Sequence, residues 1–228
     1  MMIIMQQDTA ADVLLAEFAF RTVGVVVAHP DDETLWAGGT LLMHPAWRSS
    51  IYTLCRASDA DRAPKYYRTL TEYAASGRMA DLDDGVAQSP LPASLVEHTI
   101  ADLLAGNSFD LLMTHGPRGE YTRHQRHVDV HKAITALWES GRIALKELWC
   151  FAYTDDNKAH YPRAIADAPL QQMLSQTVWE HKYRIIHEIY GFSAESWEAR
   201  TTPVREAFWR FTNPEDLAEW LAGKEAYR

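Results

Sequence analysis

Two short segments of the sequence gather side chains that bind metals and move protons. The first, 29–33, reads HPDDE and holds one imidazole and three carboxylates. Imidazole nitrogen and carboxylate oxygen suit zinc or a similar divalent ion, with His29 and Asp32 as the candidate ligands. The acids equally suit a helix N-terminus, where the dipole and the free amides favour negative charge. That alternative explains the acids but not the histidine, so both interpretations stay open at this point.

The second segment, 115–131, contains four histidines, at positions 115, 124, 127 and 131. A lone histidine is usually a packed or surface polar residue, but four in so short a segment indicate a site. If a helix begins near Arg126, His127 and His131 share one face and could chelate one ion. His124 would then lie in the preceding loop. Spacing alone does not choose among these histidines.

Together the two segments supply what metal-assisted hydrolysis requires. A catalytic zinc site typically has three protein ligands and leaves one position open for water. The ion lowers the pKa of that water to about 7 and polarises a substrate carbonyl. The reaction also needs a base near the water and a donor for the oxyanion. The first segment offers two ligands and a spare acid, and the second offers one more ligand and a spare histidine.

Both segments follow apolar runs that are typical of buried strands. The runs are 23–28 (VGVVVA), 51–55 (IYTLC), 109–114 (FDLLMT) and 147–152 (ELWCFA). Helical periodicity lies between them, at 33–43, 62–79, 94–105 and 127–138. This alternation predicts βαβ units, right-handed crossovers and a mainly parallel sheet flanked by helices.

Ligands of such sheets bind beyond the carboxyl ends of the strands. Three of the predicted strands run directly into reactive side chains, at His29, Arg56 and His115. This convergence is more informative than any single residue.

The last third of the chain has a different pattern. Residues 170–190 predict one amphipathic helix, and 155–169 predict a long loop. No internal repeat or linker is evident. We therefore expect a single domain over 1–228, with a C-terminal helical part at about 170–228.

Charge and composition exclude several classes of protein. The net charge of −9 argues against nucleic acid or an anionic membrane as a partner. The first residues lack a cationic region, and no apolar stretch approaches the roughly 20 residues that span a bilayer. Cys55 and Cys150 form no CxxC pair, which favours buried free thiols. We expect a cytoplasmic protein whose oligomeric state is open.

The sequence AHPDDE after a short apolar strand, followed by GEYTRHQRH at 119–127, resembles the two signatures of the PIG-L/LmbE family. The resemblance covers roughly 23–152. Members of this family are metal-dependent de-N-acetylases, among them enzymes acting on N-acetylglucosaminyl-phosphatidylinositol and on glucosamine-containing precursors of mycothiol and bacillithiol. The resemblance implies a Rossmann-like fold and a hydrolase that removes acetyl from an N-acetylated sugar, of N-acetylglucosamine type, or a related small molecule. It also implies one zinc or other divalent ion per chain.

The resemblance also implies a role for individual residues. The metal ligands would be His29, Asp32 and His127. The general base would be Asp31, and His124 would stabilise the oxyanion or donate a proton to the leaving amine. Arg56 matches more loosely a position where the family often carries a substrate-contacting arginine.

The chain departs from the family pattern between the two histidines of the second signature. Many members have Pro-Asp there, whereas this chain has Gln125 and Arg126, so we expect the loop geometry to differ. His131 has no counterpart in the resemblance, and we expect it either to serve packing or to support the metal ligands without binding the ion.

Three other functions can be compared with the same sequence features. A metal-dependent phosphoesterase often holds two metals about 3.5–4 Å apart, whereas this sequence supplies ligands for one more readily than for two. A metal-binding or sugar-binding domain without catalysis would need neither Asp31 nor His124. A nucleotide-binding domain would carry G-x-G-x-x-G after the first strand, and Gly38-Gly39 comes too late for that. The natural substrate and the choice of zinc or iron stay open.

Overall fold

The computed structural model describes residues 21–85, 89–122 and 124–225. The first 20 residues, whose sequence lacks a cationic region, lie outside the described part of the chain. The strands are, in chain order, β1 (Thr22–Val27), β2 (Arg48–Thr53), β3 (Ser76–Met79), β4 (Ser108–Phe109), β5 (Leu111–Thr114), β6 (Ala144–Leu145), β7 (Leu148–Phe151), β8 (Tyr153–Thr154), β9 (Arg163–Ala164), β10 (Leu170–Met173) and β11 (Arg205–Phe211). The helices are α1 (Asp32–Met43), α2 (Arg62–Glu72), α3 (Ala93–Leu104), α4 (Gln125–Glu139), α5 (Gln176–Arg184), which continues as a π-helical turn (Ile185–Ile189), α6 (Trp197–Thr201) and α7 (Pro214–Glu225).

Seven of these strands form one sheet in the order β10-β11-β7-β5-β1-β2-β3. The five strands from β7 to β3 are parallel, and β11 and β10 are antiparallel additions at one edge. The chain builds β2 and β3 on one side of β1, then returns to build β5 and β7 on the other. The point at which strand order reverses is where ligands of such sheets bind. The predicted mainly parallel, Rossmann-like sheet flanked by helices is confirmed.

Helices cover both faces of the sheet, which explains why β1 is apolar at successive positions. Val23, Val25 and Val27 belong to the core on the face of α1 and α2. Val26 and Ala28 belong to the core on the face of α3, α4 and α7. The strand is thus held between two hydrophobic layers, and the segment that follows it starts from a fixed position.

The helix predicted over 170–190 is wrong at its start. Residues 170–173 form β10, which pairs with β11, and α5 begins only at Gln176 after the Ser175 cap. The C-terminal part expected to be helical therefore also supplies two strands. Pairing with β11 decides this, because a strand is stabilised by its neighbour and the local sequence does not contain that information.

The helical pattern at 62–79 also ends early, at Glu72, and 76–79 form β3. Ala74 adopts φ +48° between the two elements. A Cβ atom at Gly77 would lie 2.2 Å from the Tyr66 hydroxyl, so the close approach of strand and helix requires glycine there. No helix in the described part of the chain is both long and apolar enough to cross a bilayer. Cys55 and Cys150 are buried free thiols, as predicted.

A buried ion pair fastens the C-terminal third to α1. The Glu206 carboxylate on β11 accepts hydrogen bonds from the amides of Gly39 and Thr40 at 2.7 Å, and from Lys182 Nζ at 2.7 Å. The side chains of Lys182 and Glu206 are fully buried. A Cβ atom at Gly39 would lie 2.4 Å from the Leu174 side chain, which explains the glycine on this helix. The Glu206–Lys182 ion pair therefore holds α1 in place, and the first turn of α1 carries acids of the HPDDE segment.

Breaking this pair should be costly. Lys182→Met leaves the Glu206 charge buried without its cation, and we expect the free energy of unfolding to fall by about 3–5 kcal/mol. The control is Lys146→Ala, whose pair with Asp110 is made by a lysine side chain that is 80% exposed. Exposed pairs contribute about 0–1 kcal/mol. Denaturant unfolding of both variants measures the difference. Equal losses in the free energy of unfolding would contradict a stabilising role of the Glu206–Lys182 pair.

Candidate metal centre and cleft

The HPDDE segment forms a tight turn between β1 and α1. Asp31 adopts φ +129°, a conformation that residues other than glycine rarely adopt and that costs on the order of 1–3 kcal/mol. Its amide donates to Glu33 Oε2 at 3.0 Å, and its carbonyl accepts from the amides of Thr34 and Leu35. Its side chain makes no capping hydrogen bond. The helix-cap interpretation therefore does not account for the Asp31 carboxylate, which faces a cleft instead.

The Asp32 carboxylate lies at the centre of a group of imidazoles. Its Oδ2 atom is 3.2 Å from His29 Nδ1, 3.4 Å from His127 Nε2 and 3.6 Å from His115 Nε2. The other oxygen, Oδ1, accepts from the Trp36 indole at 3.1 Å. The reversal of strand order beside β1 explains this grouping, because Asp32 follows β1 and His115 follows the neighbouring strand β5.

The two adjacent aspartates have opposite electrostatic environments. Burial, together with the charge of Asp32, holds the pKa of Asp31 well above its usual range. Burial acts against ionisation of Asp32 as well, but His127 and His115 outweigh it and hold the pKa of Asp32 well below that range. Asp32 is thus the more readily ionised of the two, as a metal ligand must be, whereas the raised pKa makes the Asp31 carboxylate the stronger proton acceptor.

The second segment brings two more rings to this carboxylate. α4 begins at Gln125, so His124 occupies its N-cap and His127 its first turn. The ring centroid of His124 lies 4.6 Å from those of His29 and His127. His127 Nε2, His29 Nε2 and His124 Nδ1 are buried nitrogens without a hydrogen-bond partner in the described chain. Nitrogens left unpaired beside a carboxylate are the donor set of a divalent cation.

Asp32 lies within 3.4 Å of both other ligands implied by the resemblance, His29 and His127. The donor atoms that converge within the described residues form two other groups here, one of His29, His124 and His127 and one of Asp32, His115 and His127.

Two further histidines have different surroundings. His115 Nε2 lies near Asp32, but it accepts the Ala28 amide at 2.9 Å, so its lone pair is already used. His131 Nδ1 lies 3.0 Å from the carbonyl oxygen of His115. Among the described residues, His131 belongs to no cluster of potential metal-binding atoms.

Arg56 lies beside acids at the rim of the site. It contacts Asp84 at 2.9 Å and Asp59 at 3.3 Å, and its side chain is 44% exposed. Asp84 Oδ1 is in turn 3.0 Å from His29 Nε2, a contact without hydrogen-bond geometry. Arg56 also lines the cleft, so a substrate role for it stays a proposal.

The cleft next to the imidazoles has a volume of about 410 Å³. Tyr121 and Trp197 form an aromatic wall with ring centroids 4.5 Å apart. Arg62 lies opposite Asp31, 3.8 Å from its carboxylate, and its guanidinium is 4.5 Å from the centre of the Phe192 ring. Arg62 and Trp197 were not predicted from the sequence, because neither belongs to a motif and tertiary contacts alone bring them here.

Comparison with models of known protein families found no match, and neither did comparison with curated protein sequences. Several solved structures share the fold. The A40926 pseudoaglycone deacetylase Dbv21 matches with a TM-score of 0.59 at 13% identity, over 84% of this chain and 98% of that one. The zinc-inhibited form of teicoplanin deacetylase Orf2 matches with 0.56 at 12%, over 74% and 84%. The conserved protein TT1542 from Thermus thermophilus matches with 0.58 at 17%, over 83% and 94%.

Metal content distinguishes His127 from His131. We expect one divalent ion per chain in the wild type. His127→Ala should lose this ion, because it removes an unpaired nitrogen 3.4 Å from Asp32 Oδ2. His131→Ala should retain it and be less stable. Elemental analysis of protein purified without chelator measures this, and two tightly held ions, or loss only in His131→Ala, would contradict the assignment.

Proposed function

We propose that the protein is a metal-dependent N-deacetylase that hydrolyses the acetyl amide of an N-acetylated sugar. The observation that carries the proposal is the buried Asp32 carboxylate, which faces unpaired imidazole nitrogen at the end of a cleft. Dbv21 and Orf2, which have the same fold, are described as deacetylases. Together with the two signatures that resemble the PIG-L/LmbE family, these observations support one reaction class.

The donor set fits a divalent ion. Two imidazoles and one carboxylate, from His29, His127 and Asp32, are ligands that zinc accepts, and three protein ligands leave room for water. An ion bound there supplies a water of lowered pKa and polarises the amide carbonyl. The chain itself contributes the binding, the orientation and the proton transfers.

Asp31 is the proposed base. Its carboxylate lines the cleft beside Asp32, and the strained turn fixes its direction. In the proposed reaction it takes a proton from the water that attacks the acetyl carbon. The C–N bond then breaks as Asp31 passes this proton to the amine nitrogen, which leaves a free amine and acetic acid, ionised in water to acetate. Arg62, 3.8 Å from Asp31, restricts where the carboxylate can lie.

His124 is better suited to hold the oxyanion than to protonate the amine. Burial is the main cause that lowers the pKa of His124 to about 3, and in the metal-free site the charge of protonated His127 and His29 contributes. A metal cation nearby favours the neutral ring further. A neutral imidazole still offers one N–H, and a donor aimed at the developing oxyanion contributes about 10²–10³ in rate.

The walls of the cleft favour a sugar as the acetyl carrier. Tyr121 and Trp197 present aromatic surface, on which the apolar face of a pyranose ring can pack. Glu198, Arg62 and Asp84 line the same cleft and can bind hydroxyl groups. The cavity is the size of a small-molecule site.

The two buried free thiols, Cys55 and Cys150, fit a reducing cytoplasm as the location of the proposed enzyme.

The phosphoesterase alternative has less support. Two-metal sites use carboxylates that bridge ions about 3.5–4 Å apart. In the described chain, the group of His29, His124 and His127 shares one residue with each of the other two candidate groups. No carboxylate is common to two of these groups, so none is available to bridge two ions.

A deacetylation assay tests the proposal. N-acetylglucosamine and its glycosides are incubated with the protein, with and without added zinc, and released acetate is measured. Phosphate esters form the comparison panel, scored by released phosphate. We expect metal-dependent acetate release. Phosphate release without acetate would establish the alternative.

The roles of the two aspartates can be separated. Asp31→Asn removes the proton acceptor but no ligand, so we expect it to keep its metal and to lose about 10²–10⁴ in kcat. Asp61→Asn is the matched control, because its exposed carboxylate pairs with Lys65. Acetate release and metal content are measured on the same samples. If Asp31→Asn lost metal as Asp32→Asn is expected to, Asp31 would be a ligand and not the base.

A further inference from the structure

Glu120 is a fully buried acid in the loop between β5 and α4. Its Oε2 atom lies 2.6 Å from His127 Nδ1 and 2.9 Å from His115 Nδ1. Its Oε1 atom accepts the amide of Gly116 at 2.9 Å. One carboxylate therefore contacts the Nδ1 side of two rings whose Nε2 atoms both point toward Asp32.

These contacts fix which nitrogen of each ring carries the proton. A carboxylate accepts hydrogen bonds, so His127 and His115 both have to carry a proton on Nδ1. In the neutral ring, Nε2 is then the nitrogen with the free lone pair. For His115 that lone pair accepts the Ala28 amide, which independently requires the same tautomer. For His127 the lone pair has no partner in the described chain, and it faces Asp32 Oδ2.

We propose that Glu120 is a positioning residue that holds His127 in the tautomer and orientation required to bind the metal. The stacked ring of His115, with its centroid 3.8 Å from that of His127, shares the carboxylate and completes the support without binding the ion. This inference rests on the proposed metal site. Partners of this kind raise the basicity of the ligand, and their loss typically weakens metal binding by about 10–100-fold.

Glu120→Gln tests the proposal with little change in shape. The amide has one oxygen where the carboxylate has two. Its NH₂ group must therefore face either the Gly116 amide or the ring N–H groups, and donor would then meet donor. The control is Glu147→Gln, which changes a buried acid before β7, at the opposite end of the parallel strands. Glu147 accepts from the Trp149 indole and pairs with Arg21 and Arg210.

The affinity for Zn²⁺ is measured by competition with a chelator, and unfolding of the metal-free proteins is followed in parallel. We expect Glu120→Gln to bind zinc about 10–100-fold more weakly, while Glu147→Gln loses stability and keeps wild-type affinity. Equal zinc affinities for Glu120→Gln and wild type would overturn this inference alone. Absence of zinc binding by the wild type would overturn the proposed function together with it.

A second measurement does not depend on whether the variant folds. Long-range ¹H–¹⁵N spectra of the zinc-loaded wild type report which ring nitrogens carry protons. We expect protons on Nδ1 of His127 and His115, with the zinc-shifted signal on His127 Nε2. Coordination through His127 Nδ1, or a proton on His127 Nε2, would overturn the role of Glu120.

Discussion

The structure depends on the burial of the Asp32 charge among imidazoles. A carboxylate taken out of water is costly unless it is paired and hydrogen-bonded. Here the His29 amide and the Trp36 indole donate to it, and three ring nitrogens surround it within 3.6 Å. Because each ring comes from a different turn or helix, the charge can be accommodated only when the carboxyl ends of β1 and β5 are side by side. The proposed chemistry therefore requires the sheet order.

The surrounding shell keeps these few side chains in place. The Glu206–Lys182 pair fixes α1 from the C-terminal side, and α1 in turn fixes Asp31 and Asp32. Glu120 holds His127 through a contact with Nδ1 of its ring. Rigid support of this kind lets a catalytic group act without reorganisation during the reaction. It also explains why the antiparallel strands β10 and β11, which carry no proposed ligand, matter to the site.

Much of this arrangement could be predicted from the sequence, because its signals are local. A β-branched run followed by HPDDE predicts a strand that ends in a polar turn, and the structure places β1 and α1 there. The position of β10 could not be predicted, because the segment pairs with β11, which follows only after α5 and α6. Arg62 and Trp197 reach the cleft through tertiary packing. The distinct environments of His115 and His127 could not be predicted either, since they differ by a single tertiary hydrogen bond, from the Ala28 amide to His115.

The proposed reaction depends on one divalent ion that binds beside Asp32. Anomalous diffraction at the zinc absorption edge, from crystals grown with one equivalent of zinc, tests it most directly. We expect a single peak bound by His29, Asp32 and His127, at about 2.0–2.2 Å from each ligand atom. A peak among His29, Cys55 and Asp84, the neighbouring group of potential ligands, would contradict it. Two peaks about 3.5–4 Å apart would contradict it as well.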